Sequence, residues 1–139
     1  MTIIEEINHL NNYIDIEQIR FKDRIDLEMD ITGSIEDVEV PPLLFLNFVE
    51  NCFKHGLKEN DKVKINMSFE ICKDNYLEFR LANTFNPNTN QGSKQGIGIM
   101  NTERRLKLLF ANDFVLETNI KDNIYNLFLK IPMKLNELK

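Results

Sequence analysis

The chain has 139 residues, of which 42% are hydrophobic and 28% are charged, and these values suit one globular domain with its own core. It has no apolar run of about 18 residues, and its start has no basic segment followed by an apolar core. We therefore predict neither a membrane span nor a signal peptide. The net charge of -5 argues against a protein that wraps nucleic acid, although a local nest of amides can still bind phosphate.

The two cysteines, Cys52 and Cys72, fall at apolar positions without CxxC spacing. This pattern favours buried, reduced thiols over a disulfide or a metal site. Reduced thiols in turn predict a cytoplasmic location.

Two elements begin the predicted secondary structure. Apolar residues at helical spacing predict a helix over residues 3–20, whose buried stripe is Ile3, Ile7, Leu10, Ile14 and Ile16. Strict alternation of apolar and polar residues predicts a half-buried strand over residues 25–32, which Gly33 and Ser34 end.

A second helix and a hairpin come next. Pro41 and Pro42 suit the start of a helix, and Gly56 suits its end. Alternating apolar residues predict strands over residues 62–72 and 76–83, and the intervening "KDN" suits a hairpin turn.

The last part of the chain is predicted as a polar loop, a helix and a second hairpin. Residues 84–95 lack periodicity and form the loop, and the helix runs from about Gly98. Its predicted core residues are Ile99, Leu106, Leu109 and Phe110. Strands follow over residues 113–120 and 124–131, and Pro132 ends the second. Few helices and many antiparallel hairpins predict an α+β fold with the helices on one face of a sheet.

The second helix carries many polar residues. At about 100° per residue, one face collects Asn47, Glu50, Asn51, Lys54 and His55. The opposite face collects Phe45, Phe48, Val49, Cys52 and Phe53. Any amphipathic surface helix has two such faces, yet Asn is a poor helix former. Asparagine and glutamate oxygens also suit Mg²⁺, and a glutamate can orient or deprotonate an attacking group. A solvated face and a metal–nucleotide site are therefore both open.

A glycine-rich segment supplies a possible phosphate site. Gly92, Gly96 and Gly98 precede or open the third helix, where unpaired amides and the positive end of the dipole favour anions. Lys94 adds a mobile positive charge. The spacing is neither that of a P-loop nor that of a dinucleotide fingerprint, so an ordinary glycine-rich loop end remains the alternative.

Taken together, these segments resemble a known superfamily. "PPLLFLNFVENCFKHGL" is similar to the N box, and "GIGIMNTERRLKLLF" to the last glycine box, of the GHKL ATP-binding domains. More narrowly, the chain resembles LytS/YehU-type sensor histidine kinases, which pair with LytTR response regulators. "NNYIDIEQIRF" is similar to the segment that precedes the domain in that group, and the closing "LKIPM" also fits. The resemblance covers essentially the whole chain.

The resemblance implies the Bergerat fold, an α+β two-layer sandwich with a mixed, mostly antiparallel sheet and helices on one face. It also implies ATP and Mg²⁺ as cofactors. Asn51 would coordinate Mg²⁺ between the ATP phosphates, and Glu50 would be the polarising carboxylate beside it. Lys54 and His55 would reach phosphate or ribose, with Asn47 as a second polar contact.

For the glycine segment, the resemblance implies that residues 84–95 form a short ATP lid. Gly96, Ile97 and Gly98 would give backbone amides to the phosphates. Asn101 and Arg105, at the same end of the helix, are further candidates for phosphate contacts.

The chain departs from the family pattern at the adenine end. The first glycine box usually reads D-x-G-x-G, and its Asp accepts a hydrogen bond from the adenine amino group. Here "RLANTFNPN" puts Asn83 at that position and lacks both glycines. An Asn keeps an acceptor oxygen but loses the charge-assisted strength of a carboxylate, so we expect weaker or less adenine-selective binding.

A second departure concerns the phosphoacceptor. The family's phosphoacceptor motif, similar to N-P-H-F-L-F-N, is missing, and His9 has neither its neighbours nor its place. We therefore expect residues 1–20 to be a helix leading in from a missing dimerisation and phosphoacceptor region, and residues 21–139 to be the ATP-binding domain. The resemblance implies a longer kinase that is membrane-anchored and dimeric.

Three functions remain open from the sequence. The first is the catalytic domain of a sensor histidine kinase, which transfers the γ-phosphate to a histidine on an adjoining domain. The second is a degenerate nucleotide module that acts only in protein–protein signalling, which the changes around Asn83 favour. The third is a GHKL protein-serine kinase, against which the "YIDIEQIRF" segment argues.

Overall fold

The computed structural model describes residues 1–21, 24–56, 62–84 and 92–135, with the backbone alone for residues 52–56, 92–99 and 134–135. Its helices are α1 (Ile3–Arg20), α2 (Leu44–Gly56) and α3 (Gly92–Phe110). Its strands are β1 (Ile25–Thr32), β2 (Val38–Glu39), β3 (Val63–Ile71), β4 (Tyr76–Thr84), β5 (Val115–Lys121), β6 (Ile124–Pro132) and β7 (Lys134–Leu135). Within these ranges, no helix has the length and apolar character needed to cross a bilayer.

Five strands form one mixed sheet in the order β1-β3-β4-β6-β5. β1 runs parallel to β3, and the other neighbouring pairs are antiparallel. The parallel pair requires a crossover connection, which α2 provides between β1 and β3. The predicted α+β architecture with a mostly antiparallel sheet is therefore confirmed. A separate two-stranded sheet, β2 with β7, was not predicted because two-residue strands are too short to show alternation.

The core lies between the sheet and the helices. Along β4, Leu77, Phe79, Leu81 and Asn83 are buried, while the residues between them are more exposed. Phe45 of α2 contacts Phe69 and Phe79, with ring centroids 5.1 and 4.9 Å apart. Burying a side chain of this size stabilises the fold by roughly 1.5–3 kcal/mol. This aromatic cluster fixes α2 on the central strands.

Helix α1 confirms most of its predicted stripe. Ile3, Ile7, Leu10 and Ile14 are buried, and the Thr2 hydroxyl caps the helix by accepting the Glu5 N–H at 3.2 Å. Ile16 was wrongly placed in this stripe, because it is 64% exposed. Two residues beyond Ile14 is about 200° around the helix, which turns Ile16 to the opposite side.

The third helix begins earlier than predicted. It starts at Gly92, so the predicted loop was wrong for residues 92–95, while residues 85–91 lie outside the described part of the chain. The first turns lack an apolar stripe, which is why periodicity did not reveal them. Leu106 is fully buried as predicted, whereas Leu109 is 49% exposed and was wrongly placed in the core. The side chain of Ile99 lies outside the described residues.

Cys72 is a free thiol as predicted, but it is only partly buried. It follows the last residue of β3, where the hairpin turn begins, and its Sγ lies 3.2 Å from Glu78 Oε2. The prediction of a buried thiol was therefore wrong for this residue. The side chain of Cys52 lies outside the described residues.

Candidate functional site

The polar face of α2 has the predicted orientation. Phe45, Phe48 and Val49 are buried against the sheet, with exposures of 0–1%. Asn47 is exposed on the other side, and Glu50 and Asn51 are partly buried. The predicted face therefore brings two asparagines and a glutamate together on one helix. The side chains of Lys54 and His55, which belong to the same predicted face, lie outside the described residues.

The start of α2 is held by a residue from another helix. Pro41, Pro42 and Leu43 offer no side-chain cap, and the first turn contains no acidic residue. Instead, the carboxylate of Glu6 accepts three backbone N–H groups, from Leu43 at 2.9 Å, Phe45 at 3.1 Å and Leu46 at 3.2 Å. An anion at this point also suits the positive end of the helix dipole.

Glu6 was not predicted as a functional residue, although the sequence contained a signal for it. It lies within the apolar stripe of α1, between Ile3 and Ile7, and is 0% exposed. A charged residue inside an apolar stripe must find hydrogen-bond partners in the core. The identity of those partners depends on tertiary packing, which periodicity does not reveal.

Helix α3 contacts the same segment through Arg105, whose guanidinium donates to the Pro42 carbonyl. We predicted Asn101 and Arg105 at the end of the helix near the glycines. Because α3 begins at Gly92, both residues lie well inside it, and their predicted location was wrong. Asn101 is exposed. Its neighbour Thr102 is a buried polar residue with 7% exposure, and its burial was not predicted from the sequence.

The three predicted phosphate-binding amides also lie inside this helix. Gly96, Ile97 and Gly98 follow its first turn, where each N–H is engaged by the carbonyl four residues earlier. In this conformation the free amides of α3 are those of its first residues instead. The side chain of Lys94 lies outside the described residues.

Asn83 is the buried polar residue of β4, with an exposure of 2%. It pairs with Ile65 of β3 and Tyr125 of β6, and its side chain lies on the helix-covered face. Its Nδ2 donates to the Thr84 carbonyl at 3.2 Å. The sheet thus holds a buried amide in the layer on which α2 packs.

The opposite face of the sheet carries a groove of about 400 Å³. Glu28, Asp30 and Arg80 are among its lining residues, and none of the predicted site residues whose side chains the structure describes lines it. The candidate site therefore lies on the helix-covered side of the sheet.

The donor set on that side fits a metal–nucleotide ligand. Amide and carboxylate oxygens at Asn47, Glu50 and Asn51 are hard ligands of the kind that Mg²⁺ prefers, usually one or two per site with phosphates and water completing the shell. Asn83 adds a buried amide at the layer between α2 and the sheet. Oxygen donors of this kind can hold a metal–phosphate group, and an amide can hydrogen-bond a base.

Sequence comparisons find sensor kinases among the proteins similar to this chain. The sensor histidine kinase BtsS of Escherichia coli is 27% identical over 96% of the chain, and the sensor protein LytS of Bacillus subtilis is 37% identical over 44% of it. The chain corresponds to only 24% of the first protein and 10% of the second. No family model matches.

Solved structures match the fold. The catalytic domain of histidine kinase ThkA superimposes with a TM-score of 0.68 at 16% identity, covering 95% of this chain and 94% of that one. ThkA in complex with the response regulator TrrA matches with a TM-score of 0.62 at 15% identity, covering 99% of this chain and 42% of that one. The chain therefore has the fold of histidine kinase catalytic domains and is related in sequence to the LytS-type sensor kinases.

Proposed function

We propose that this chain, a relative of the LytS-type sensor histidine kinases, is the ATP-binding catalytic domain of a two-component kinase. The observation that carries the proposal is the oxygen-rich face of α2, a helix whose opposite, aromatic face packs on the strand that holds the buried Asn83. Asparagine is a poor helix former, so two asparagines one turn apart on this face favour a binding role over an ordinary solvated surface.

In the proposed reaction, Asn51 holds Mg²⁺ and Glu50 polarises the attacking group, while Asn47 gives a second polar contact. The metal, when bound, neutralises charge on the ATP phosphates. Lys54 and His55 reach phosphate or ribose. Asn83 accepts a hydrogen bond from the adenine amino group. Positioning and charge neutralisation then supply most of the rate.

The phosphate contacts proposed for Gly96, Ile97 and Gly98 require a local change. Their amides become free only if the first turns of α3 unwind, because helical carbonyls otherwise engage them. Glycine makes such unwinding less costly than other residues do, by roughly 0.5–1 kcal/mol relative to Ala. Lys94, Asn101 and Arg105 are further candidates for contacts after that change.

The remaining organisation is also a proposal. Residues 1–20 lead in from an upstream dimerisation and phosphoacceptor region, and residues 21–139 form the nucleotide domain. The phosphorylated histidine lies in that upstream region. The full kinase is membrane-anchored and dimeric, its catalytic part lies in the cytoplasm, and it passes the phosphoryl group to a LytTR-type response regulator. Nucleic acid is not a ligand.

A second candidate is a degenerate nucleotide module that acts only in protein–protein signalling. The chain itself favours it at one point, where Asn83 replaces the usual Asp and both glycines of the first glycine box are missing.

Calorimetric titration of the wild type and of Asn51→Ala with Mg·ATP tests the proposal. We expect binding by the wild type and at least about tenfold weaker binding by the variant, since a tenfold loss is about 1.4 kcal/mol. Asn12→Ala, at an exposed position of α1, is the matched control and should bind like the wild type. No binding by the wild type would overturn the kinase assignment and favour the degenerate module. Unchanged binding by Asn51→Ala would overturn the metal assignment.

A further inference from the structure

The start of α2, residues 42–46, is hydrogen-bonded to both other helices. Glu6 of α1 binds its backbone amides, and Arg105 of α3 binds its Pro42 carbonyl. We propose that Glu6 is a positioning residue that couples α1 to the nucleotide-binding face of α2. This inference rests on the proposed function of that face.

The amides at the start of α2 can be accounted for one by one. Glu6 accepts from Leu43, Phe45 and Leu46 at 2.9–3.2 Å. The Leu44 N–H is directed at the Pro41 carbonyl at 3.5 Å, and the Asn47 N–H is the first to join the regular helical pattern, at 3.1 Å from the Leu43 carbonyl. A single carboxylate on α1 therefore satisfies most of the amides that a helix start leaves unpaired.

Burying the Glu6 carboxylate and holding Leu43 in a left-handed conformation both cost free energy. This cost argues that the arrangement serves to fix the start of α2. Glu6 is 0% exposed, and a buried carboxylate is tolerated only where hydrogen bonds replace its lost hydration. Leu43 has a φ of 62°, a left-handed conformation that a leucine rarely adopts. The bond from the Leu43 N–H to Glu6 holds this residue, and the two bonds that follow set where the helix begins.

The proposed ligand face follows directly from that start. Asn47 is the first residue after the amides that Glu6 binds, and Asn51 lies one turn further. A helix moves as a unit, so a displacement of α1 that pulls on Glu6 also displaces both asparagines. Because Arg105 joins the same segment, movement of α3 reaches α1 through this point too.

Glu6→Gln tests the coupling, because it keeps the shape of the side chain but replaces one acceptor oxygen by a donor that faces an N–H. Hydrogen bonds to a charged acceptor are stronger than those to a neutral one, so the start of α2 should be held less firmly, and we expect Mg·ATP binding at least about tenfold weaker in fully folded protein at low temperature. Amide hydrogen exchange should become faster at Leu43, Phe45 and Leu46 and stay unchanged in β4. Asp15→Asn, an exposed substitution on the same helix, should change neither quantity.

A purely structural role for Glu6 would lower the melting temperature without changing the nucleotide affinity of the folded protein, and that result would overturn the coupling alone. If the wild type does not bind Mg·ATP, the proposed function fails and the coupling fails with it. If Glu6→Gln does not fold, amide exchange of the wild type tests the coupling instead. Mg·ADP should then slow exchange at the three amides that Glu6 binds, and unchanged exchange in the presence of bound nucleotide would overturn the proposal.

Discussion

Asn83 is a polar side chain in a row of large apolar ones, since Leu77, Phe79 and Leu81 precede it on the buried side of β4. The family resemblance predicts that it lies at the adenine end of the site. Its local hydrogen bond was not predictable, because the Thr84 carbonyl accepts from it only through the detailed backbone geometry at the end of the strand.

Asn83→Asp should restore a stronger acceptor at a cost in stability. A carboxylate strengthens a hydrogen bond from an amino group, but its oxygen would oppose the Thr84 carbonyl that now accepts from Nδ2. We expect tighter ATP binding, greater preference for ATP over GTP, and a free energy of unfolding lower by about 1–3 kcal/mol without nucleotide. Titrations with both nucleotides and urea denaturation measure these effects, with Asn12→Asp as the surface control. An unchanged preference would contradict the adenine role of this position.

The thiol of Cys72 has a higher pKa than an unperturbed cysteine thiol. Burial and the hydrogen bond to the Glu78 carboxylate raise the pKa of Cys72 to about 11 from 9.0. The same S–H group lowers the pKa of Glu78, because it stabilises the carboxylate. A thiol with a raised pKa in the folded state stabilises the fold below its unfolded pKa. That stabilisation is lost as pH rises from about 9 towards 11.

Alkylation of Cys72 by iodoacetamide should therefore be slow at pH 8, because the thiolate is the reactive form. At pH 8, a cysteine with a pKa of about 11 instead of 9.0 has about a hundredfold less thiolate. Glu78→Gln should accelerate the reaction several-fold, whereas Glu117→Gln, at an exposed position of β5, should not. Mass spectrometry of the Cys72 peptide separates this reaction from that of Cys52. Equal rates in the wild type and Glu78→Gln would exclude the carboxylate as the cause.

Among the elements, α1 and the five strands of the main sheet could be predicted from the sequence, whereas the starts of α2 and α3 could not. Alternation of apolar residues predicted β1, β3 and β4; β3 and β4 bury that face, whereas in β1 Ile25 alone is buried. The start of α2 depends on Glu6, which is distant in sequence, and the start of α3 lacks an apolar stripe. The local sequence pattern therefore reveals neither the contact that starts α2 nor the first turns of α3.

Gly33 shows how closely two of these elements meet. It follows β1 with a φ of 97°, and an added Cβ would lie 2.8 Å from Ile71 Cβ at the end of β3. Gly33→Ala should therefore lower the free energy of unfolding by about 1–3 kcal/mol, through backbone strain and overpacking. Urea denaturation measures the change, and Ser34→Ala, at the next exposed position, is the control. A loss below about 0.5 kcal/mol would mean that Ile71 can move aside.

For the molecule as a whole, the resemblance led to the right fold because it rests on two segments, the N box and the last glycine box. In each, both the residue types and their spacing match the family pattern. The polar face of α2 was oriented correctly, since a helix with one aromatic side has a single way to pack on a sheet. The errors at Ile16 and Leu109 have different causes. Ile16 lies about 200° around the helix from the buried Ile14, so helical geometry already excluded it from the stripe. Leu109 lies in the last turn of α3, where periodicity alone does not decide how much of a side chain is covered.

The sheet order also has a consequence for how the chain folds. β3 and β4 are joined by a short turn, closed by the Asn75 N–H and the Cys72 carbonyl, and β5 and β6 by a turn at Asp122 and Asn123. β1 pairs with β3 in parallel, and the long connection between them contains β2 and α2. Local pairings close small loops and form early, whereas parallel pairing must first overcome the entropy of a large loop.

We therefore expect the amides of the β3–β4 hairpin to become protected before those that join β1 to β3, in hydrogen exchange pulsed during refolding. The turn variant Asn75→Pro should delay protection of the hairpin, because proline cannot adopt the φ of 67° found there. Simultaneous protection of all strands would exclude this order. The edge that carries the only parallel pair of the described sheet would then be the last to close, and α1 and α2 would dock onto an antiparallel platform that already exists.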